Sequence, residues 1–356
     1  MRPEVTIGRH KVGLDHPTYF VADIGANHDG DLGRARDLVF RAAEAGAQAA
    51  KFQNFRAETI VSDYGFNALG SKVSHQASWK QGVVEVYRAA SLPMEWTEAI
   101  HAACDDAEID YFTAVYDLEL VEALSPHVCA WKIGSGDITW LAAIERMAAD
   151  GKPLLIATGA STLDEVRSAV AAAAKHTDQL VVLQCNTNYS NVMENFNYIE
   201  LNVLKSFARE FPATVLGLSD HTPGHATALG AVALGARVIE KHLTDDRSRE
   251  GPDHPFSMDP AGWREMVDRT RELEAALGGE AKQVMDNERE TVVVQRRAVR
   301  AKEAIPKGSR ITADALIVLR PCPADALPPS RIDEVVGRVA VRDIEAGDCV
   351  RTTDVA

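Results

Sequence analysis

The fold is decided by residues 214–242, which read TVLGLSDHTPGHATALGAVALGARVIEKH. An apolar run at Thr214–Asp220 is typical of a buried strand, and a second run follows at Arg237–Lys241. Between them, the Ala- and Leu-rich segment from Gly224 to Gly235 is typical of a helix. Strand, helix and strand in this order predict a βαβ unit, whose two strands are parallel neighbours in one sheet.

Each of these two strands is followed by a histidine, His221 or His242. Parallel neighbours end at the same edge of a sheet, so we expect both imidazoles at one place. Side chains alternate along a strand, which puts Ser219 on the side of His221 and Glu240 on the side of His242. Imidazole with carboxylate suits a borderline divalent cation such as Mn²⁺, Co²⁺, Zn²⁺ or Fe²⁺ better than Ca²⁺. A buried histidine satisfied by its neighbours is the alternative for either ring alone.

The same alternation of strand and helix runs from residue 19 to residue 278. Eight strands are predicted, at Tyr19–Ile24, Gln48–Gln53, Asp110–Tyr116, Cys129–Ile133, Pro153–Ala157, Leu180–Cys185, Thr214–Ser219 and Arg237–Lys241. Further helices are predicted at Leu32–Ala45, Met94–Ala107, Leu163–His176, Tyr198–Glu210 and Pro260–Leu277. Eight such units predict a (β/α)₈ TIM barrel with its active site at the carboxyl ends of the strands. The alternative, an open doubly wound sheet, lacks support because no Gly-rich dinucleotide fingerprint follows the first strand.

The composition is that of a globular protein with a large core, since 46% of the 356 residues are hydrophobic. The formal charge of −14 argues against nucleic-acid and anionic-membrane partners, because both require a basic surface. The five cysteines are widely spaced and odd in number, which favours reduced thiols. The N-terminus has no apolar signal segment, and no run is long enough to span a membrane. We therefore expect a cytoplasmic protein.

Two regions depart from the regular alternation. The connection Asn54–Ser91 is long and aromatic, which favours a lid or a wall of the substrate site; its notable side chains are Tyr64, Phe66, His75, Trp79 and Tyr87. A surface excursion with its own helix around Trp79–Ala90 is the alternative, and both can hold. At residues 278–280 the helical rhythm stops. We predict a barrel domain at 1–278, a polar linker at 279–294 and a small, mainly irregular or β domain at 295–356.

Polar side chains also end three other predicted strands. They are Asp23 in the first, Lys51 and Gln53 in the second, and Lys132, Ser135 and Asp137 at the fourth. Two barrel-facing lysines favour a phosphate or carboxylate ligand, because a buried ammonium without an anion is costly. An ion pair with Asp23 or Asp137 is the alternative.

Several motifs in fixed order resemble the sialic acid (N-acetylneuraminate) synthase family. They are ADIGANHDGDLGRA, KFQ, KIGSGD, LLIATGAST, GLSDHT, VIEKHLTDDR and GPDHPFSMDP, and residues 296–356 resemble its antifreeze-like SAF (β-clip) domain. The resemblance implies condensation of phosphoenolpyruvate with an open-chain sugar aldehyde, giving a sialic-acid-like 2-keto-3-deoxy sugar acid and phosphate. It implies a divalent metal, Mn²⁺ first, with Mg²⁺, Co²⁺ or Zn²⁺ as alternatives. It also implies a homodimer in which the SAF domain of one subunit covers the barrel of the other.

The resemblance assigns roles by position. His221 and His242 would bind the metal, and phosphoenolpyruvate would be held by Lys51, Lys132, Ser135 and Ser219. The sugar would contact Gln53, Tyr189 and Asp253, with Arg320 reaching it from the neighbouring subunit. We assign the attacking water to Asp23, with Asp137 as its partner.

The chain departs from the family pattern at several places. Asp23 and Asp137 stand where glutamate is usual, so each carboxylate is one methylene shorter. TAVYD replaces STPFD, CNTNYS replaces the CTxxYP motif, and Arg320 lies in LRPCPADAL instead of a glycine-rich loop. We therefore expect a remodelled sugar pocket. Two alternative functions stay open: a metal-assisted aldolase or lyase on the same barrel, and a binding relative without catalysis.

Overall fold

The computed structural model describes residues 2–70, 76, 79–189 and 192–356. The chain divides into two compact units, Met1–Gly278 and Gly279–Ala356. The first unit opens with an antiparallel hairpin of β1 (Glu4–Ile7) and β2 (His10–Gly13), which the strand–helix alternation did not predict. Asp110 accepts hydrogen bonds from His10 Nδ1 and Tyr19 Oη at 2.9 and 2.8 Å, which ties this hairpin to the barrel.

Eight parallel strands close into a barrel. They are β3 (Tyr19–Asp23), β4 (Ala49–Asn54), β5 (Asp110–Val115), β6 (Trp131–Ile133), β7 (Leu154–Ala157), β8 (Leu180–Cys185), β9 (Val215–Asp220) and β10 (Val238–His242). The last strand pairs with the first, so that His242 lies opposite Asp23. The predicted (β/α)₈ barrel is confirmed, and each predicted strand is present with its ends shifted by at most a few residues.

The α-helices of the described residues follow the predicted order. They are α1 (Leu32–Glu44), α2 (Ala57–Ile60), α3 (Asp63–Ala68), α4 (Val83–Ala90), α5 (Thr97–Asp106), α6 (Val121–Leu124), α7 (Leu141–Ala148), α8 (Leu163–Ala174), α9 (Val203–Glu210), α10 (Ala226–Ala233), α11 (Pro260–Leu277) and α12 (Arg289–Gln295). The helix predicted from Tyr198 begins only at Val203, because Met193–Tyr198 forms 3₁₀ turns. No described helix combines the length and the apolar character that crossing a bilayer requires.

Local sequence explains where the helices begin and which face they bury. In α1, Asp31 caps the first turn by accepting from the Arg34 amide, and the buried residues Ala35, Leu38, Val39 and Ala42 recur at helical spacing. In α8, Thr162 and Glu165 form a reciprocal capping box. The strands are buried on both faces, since side chains fill the barrel and helices cover it. This packing holds the carboxyl ends of the strands in place.

The second unit has a small core of its own. Strands β11 (Ala298–Ala301) and β12 (Leu316–Leu319) pair antiparallel, and Ile305 bridges Ile344 where the sequence repeats itself. Fully buried Val299, Ile311 and Val350 lie in its core. The predicted linker at 279–294 is only partly irregular, because a 3₁₀ turn at Asp286–Glu288 and helix α12 lie in it or overlap it. Polar composition concealed this short helix, whose valines are partly exposed.

Candidate active site

A cavity of about 370 Å³ opens at the carboxyl ends of the barrel strands. Its lining includes every barrel residue that the sequence predicted for the site: Asp23, Lys51, Gln53, Lys132, Ser135, Asp137, Tyr189, Ser219, His221, His242 and Asp253. Arg320 is different, since it is an exposed residue of the second unit. The cavity therefore joins eleven predicted positions that are as far as 230 residues apart in the chain.

Both predicted lysines are buried in ion pairs at the floor of the cavity. Lys51 Nζ lies 2.6 Å from Asp23 Oδ2 and 3.7 Å from Glu240 Oε1. Lys132 Nζ lies 3.1 Å from the same Glu240 oxygen, and not beside Asp137. The barrel register explains the first pair, because Lys51 is the β4 neighbour of Asp23 in β3. For Lys51, the structure therefore contains the ion pair with Asp23 that the sequence analysis gave as the alternative to an anionic ligand.

In this cluster, burial and the neighbouring charges shift the pKa values in opposite directions. Burial acts to lower the pKa of Lys51, but the carboxylates of Asp23 and Glu240 outweigh it and raise that pKa. Burial acts to raise the pKa of Glu240, but the ammonium groups of Lys132 and Lys51 lower it to about 2. Lys51 and Glu240 are thus charged at neutral pH. Removing one charge from such a pair leaves the other uncompensated, at a cost of about 3–5 kcal/mol.

The two histidines lie side by side, as the βαβ unit predicted. Their ring centroids are 5.6 Å apart, and His221 Nδ1 donates to the Asn186 carbonyl at 2.9 Å, which leaves Nε2 without its proton. Burial, and then the charge of His242, lower the pKa of His221 to about 4. His242 Nε2 lies 3.2 Å from Asp23 Oδ2, while its Nδ1 is buried and has no hydrogen-bond partner among the described residues. Each of the two rings therefore has a nitrogen that could bind a metal ion.

A second ion pair, which the sequence did not predict, lies behind the histidines. Lys241 Nζ donates to Asp220 Oδ2 at 2.5 Å and to the Thr222 carbonyl at 2.7 Å. Asp220 also accepts from the hydroxyls of Thr222 and Thr227 at distances of 2.6–3.0 Å. Successive strand residues face opposite sides, so this pair and the histidines lie on different faces of the same two strands. The signal was available, since DH and KH end the two strands with a charge beside each histidine.

The predicted anion-binding serines are hydrogen-bonded to the protein. Ser219 Oγ donates to Glu240 Oε1 at 3.0 Å, and Ser135 Oγ accepts from the Gly159 amide at 3.0 Å. Gly159 must be glycine here, because a Cβ would lie 2.9 Å from Ser135 Oγ and 2.5 Å from Thr187 Cγ2. The close approach of two strand ends therefore sets the position of the serine hydroxyl.

Asp137 differs from the other carboxylates of the cavity. Its side chain has no hydrogen-bond or ion-pair partner among the described residues, and burial raises its pKa. By contrast, Asp23 accepts from the Gly25 amide and from Gln53 Nε2 at 3.0 and 3.3 Å, in addition to its lysine. A partly desolvated carboxyl group that faces a cavity is suited to proton transfer.

The remaining predicted positions contact the histidines or their surroundings. Asp253 Oδ2 accepts from the Ala26 amide at 2.8 Å and lies 3.8 Å from His242 Nδ1. The Tyr189 ring is 4.5 Å from the His221 ring, and burial raises the Tyr189 pKa well above its usual value. Tyr189 thus stays a neutral phenol beside the imidazoles.

The aromatic wall predicted for the connection Asn54–Ser91 is present, and it includes Phe55 and Tyr116, which the sequence had not assigned to it. Tyr116, Phe55, Tyr87 and Trp79 line the cavity in contact with one another. The long connection Asn54–Ser91 is therefore both a wall of the cavity and an excursion with its own helix, as the two predictions allowed. His75, which the sequence also singled out, lies outside the described residues. The aromatic spacing alone does not reveal which rings face inward.

Two stretches of the chain match known protein families. Residues 38–282 match the NeuB family, and residues 296–356 match the SAF domain. The chain belongs to the NeuB family, which confirms the resemblance seen in its motifs.

Individual relatives extend over most of the chain. It is 35% identical to the N,N'-diacetyllegionaminic acid synthase of Legionella pneumophila, over 94% of each protein. It is 31% identical to the N-acetylneuraminate-9-phosphate synthase of Homo sapiens, over 95% of this chain and 93% of that protein. Among solved structures, the sialic acid synthetase of Leptospira borgpetersenii, in complex with citrate, is 26% identical with a TM-score of 0.71; the match covers 82% of this chain and 96% of that one.

Proposed function

We propose that this protein condenses phosphoenolpyruvate with an open-chain sugar aldehyde to give a 2-keto-3-deoxy sugar acid and phosphate. The observation that carries the proposal is the joint position of Lys51, Lys132, His221 and His242 on one cavity. Two ammonium groups suit an anionic substrate, and two imidazoles suit a divalent cation. The names of the relatives as acid synthases support the same reaction class.

The charge balance of the cavity supports a metal. Its described lining has two lysines and four carboxylates, Asp23, Asp137, Glu240 and Asp253. Phosphoenolpyruvate brings both a phosphate and a carboxylate into this lining. Extra positive charge is needed to offset the repulsion, because the low dielectric of a buried site strengthens every charge interaction. A divalent ion beside the carboxylates would supply it.

His221 and His242 fit such an ion in their chemistry. His221 is neutral at neutral pH, and its Nε2 lone pair is available because Nδ1 bonds the Asn186 carbonyl. His242 contributes a buried nitrogen to which no described residue is hydrogen-bonded. The described residues contain no group of three or more His, Cys, Asp or Glu side chains placed to hold a metal. The two imidazoles would therefore be the protein ligands, with water or substrate completing the coordination of Mn²⁺, or of Mg²⁺, Co²⁺ or Zn²⁺.

Different side chains of the cavity would have different roles in the reaction. Lys51 and Lys132, with the hydroxyls of Ser135 and Ser219, would hold phosphoenolpyruvate, and Gln53, Tyr189 and Asp253 would orient the sugar. When bound, the divalent ion supplies Lewis-acid polarisation of the aldehyde. C3 of phosphoenolpyruvate bonds to the aldehyde carbon, whose oxygen takes up a proton. Water then adds at C2, the C2–O bond to phosphate breaks, and C2 becomes the keto carbon.

We place the proton acceptor for this water at Asp137, with Asp23 as its partner, which reverses the sequence-based assignment. The Asp23 carboxylate is occupied by its ion pair with Lys51 and by hydrogen bonds from the Gly25 amide and Gln53. Asp137 faces the cavity without a partner among the described residues, and its raised pKa makes it the stronger base. Asp23 would then keep Lys51 charged and oriented.

The test is phosphate release from phosphoenolpyruvate across a panel of aldoses with Mn²⁺. Aldose-dependent release supports the synthase. Cleavage of a keto sugar acid without any phosphate step would favour the aldolase or lyase, and absence of turnover with retained binding would favour a non-catalytic relative. The proposal has three further parts: a swapped homodimer, the approach of Arg320 to a neighbouring site, and a cytoplasmic location.

A further inference from the structure

The phenol of Tyr116 lies beside the turn that carries Asp137. Ala114 of β5 pairs with Lys132 of β6. Two residues further along both strands, this register brings Tyr116 opposite Gly134. Gly134 caps the short 3₁₀ turn that follows β6, and its carbonyl accepts from the Asp137 amide at 3.0 Å. Tyr116 and Asp137 therefore border the same short piece of backbone.

A close contact with Gly134 fixes the position of the Tyr116 hydroxyl. A Cβ at residue 134 would lie 2.7 Å from Tyr116 Oη and 3.1–3.2 Å from the ring atoms Cε1 and Cζ. Only glycine therefore leaves room for the phenol at this place. The ring also packs edge to face against Phe55, with centroids 6.1 Å apart and planes at 80°. These contacts restrict the directions in which the hydroxyl can point.

The Tyr116 hydroxyl has no hydrogen-bond partner among the described residues, although Tyr116 lines the cavity. Burial raises the pKa of Tyr116 well above its usual value, and the negative charges of Asp23, Asp137 and Glu240 add to this rise. The phenol therefore keeps its proton at neutral pH. A neutral phenol can both donate and accept a hydrogen bond.

The Asp137 carboxylate also lacks a hydrogen-bond or ion-pair partner among the described residues, and it lines the same cavity. Its charge acts on the phenol of Tyr116 without a direct hydrogen bond between the two groups. Polar groups in this relation are suited to a bridging water. A phenol oxygen and a carboxylate supply the two or more polar partners that an ordered water requires.

We propose that Tyr116 and Asp137 together hold the water that adds to phosphoenolpyruvate. This inference rests on the proposed function, in which water adds at C2. One O–H of the water donates to the Asp137 carboxylate and the other to Tyr116 Oη, which directs an oxygen lone pair away from both groups. The water oxygen bonds to C2, Asp137 takes one proton, and Tyr116 keeps its own proton. Over the whole reaction, one water proton ends on the new alcohol oxygen and the other on phosphate.

The assignment connects two departures from the family pattern. Tyr116 is the aromatic residue of TAVYD, where STPFD is usual, and Asp137 is one methylene shorter than the usual glutamate. A shorter carboxylate controls the position of a water less well, because its oxygens reach less far into the cavity. The hydroxyl that phenylalanine lacks provides a second hydrogen bond to the same water, and correct positioning is what such a step depends on.

Tyr116→Phe tests the proposal, because it removes the hydroxyl and keeps the ring. Single-turnover phosphate formation, with Mn²⁺ and the aldose that the wild type uses fastest, should slow by about tenfold, as expected for one lost hydrogen bond in the transition state. The KM for phosphoenolpyruvate and the unfolding midpoint should be unchanged. Tyr198→Phe is the matched control, since Tyr198 is 57% exposed and does not line the cavity. A Tyr116→Phe rate within about twofold of the wild-type rate would overturn the proposal.

A double variant tests whether the two side chains act on the same water. If they do, adding Tyr116→Phe to Asp137→Asn should slow the reaction by less than about threefold, because the base that uses the water is already lost. If the tenfold effect of Tyr116→Phe persists in the double variant, the two groups act independently and the shared water is wrong.

A crystal structure of the unliganded full chain separates this inference from the proposed function, because it needs no turnover. An ordered water within hydrogen-bond distance of both Tyr116 Oη and an Asp137 carboxylate oxygen, lost in crystals of Tyr116→Phe, supports the inference. The absence of a water that bridges these two groups in the wild type overturns it. If no aldose releases phosphate from phosphoenolpyruvate, the proposed reaction is wrong, and the crystals still decide whether Tyr116 and Asp137 share a water.

Discussion

Lys241 Nζ lies 2.5 Å from Asp220 Oδ2, and each of these two residues directly precedes one of the paired histidines. The ion pair joins the carboxyl ends of β9 and β10 on the face opposite His221 and His242. Both members are buried, so neither charge has water to compensate it. The pair therefore stabilises the spacing of the strand ends that present the imidazoles.

Lys241→Met should lower the free energy of unfolding by about 3–5 kcal/mol, because it leaves the Asp220 charge buried and unpaired. Denaturant unfolding measures the loss. The double variant Asp220→Asn with Lys241→Met removes both charges and should recover part of it. Lys11→Met is the control, since the Lys11–Glu4 pair is exposed and surface ion pairs contribute little to stability. A loss no larger than in the control would show that the buried pair contributes little.

Replacing His221 or His242 by alanine should abolish Mn²⁺ binding, since each variant leaves a single imidazole. Calorimetric titration with Mn²⁺ is the measurement, and phosphate release should be lost in parallel. His176→Ala is the control because His176 is exposed on the outside of the barrel. Full turnover by chelator-treated wild-type protein would contradict the role of the metal.

Asp137→Asn should lower kcat by roughly a hundredfold or more, the usual effect of losing a general base, while phosphoenolpyruvate still binds. In the wild-type protein, the base must be deprotonated, so the rate should rise with pH through the pKa of Asp137. Because burial raises that pKa, this acid limb should lie above the range of an ordinary aspartate, about 3.9. The limb should vanish in Asp137→Asn and persist in Asp106→Asn, a change at an exposed aspartate.

The substitution Asp23→Asn removes the negative charge that pairs with Lys51. If Asp23 serves mainly to hold Lys51, the variant should lose about 3–5 kcal/mol of stability and bind phosphoenolpyruvate more weakly. If Asp23 is instead the base for water, kcat should fall with stability and substrate affinity retained. Unfolding measurements and separate kcat and KM values distinguish the two outcomes.

Mixing two inactive chains tests the predicted swapped homodimer. An Arg320→Ala chain and a His221→Ala chain are each expected to be inactive as homodimers, since each would lack one required group. In mixed dimers, half of the sites would have both defects and the other half neither, so activity should be partly restored. No recovery in dimers shown to have exchanged subunits would count against the swap.

Local patterns determined much of this fold. The barrel strands and most helices follow from hydrophobic periodicity and turn residues, which operate within a short stretch of chain. The meeting of His221 and His242 also followed from sequence, because a βαβ unit places its two strand ends side by side. The hairpin Glu4–Gly13 and helix Leu141–Ala148 were not predicted, since short amphipathic segments carry weaker signals.

The charge partners were decided by tertiary structure. From the sequence, the expected partner of Lys51 and Lys132 was either an anionic ligand or one of the carboxylates Asp23 and Asp137. In the closed barrel, Glu240 lies between the two lysines. Closure of the ring of strands makes β10 a neighbour of β3, although they are over 200 positions apart in the chain. The same closure left Asp137 unpaired among the described residues. Sequence determines which residues end each strand, but partners across the barrel depend on register and closure, because those set the distances between side chains.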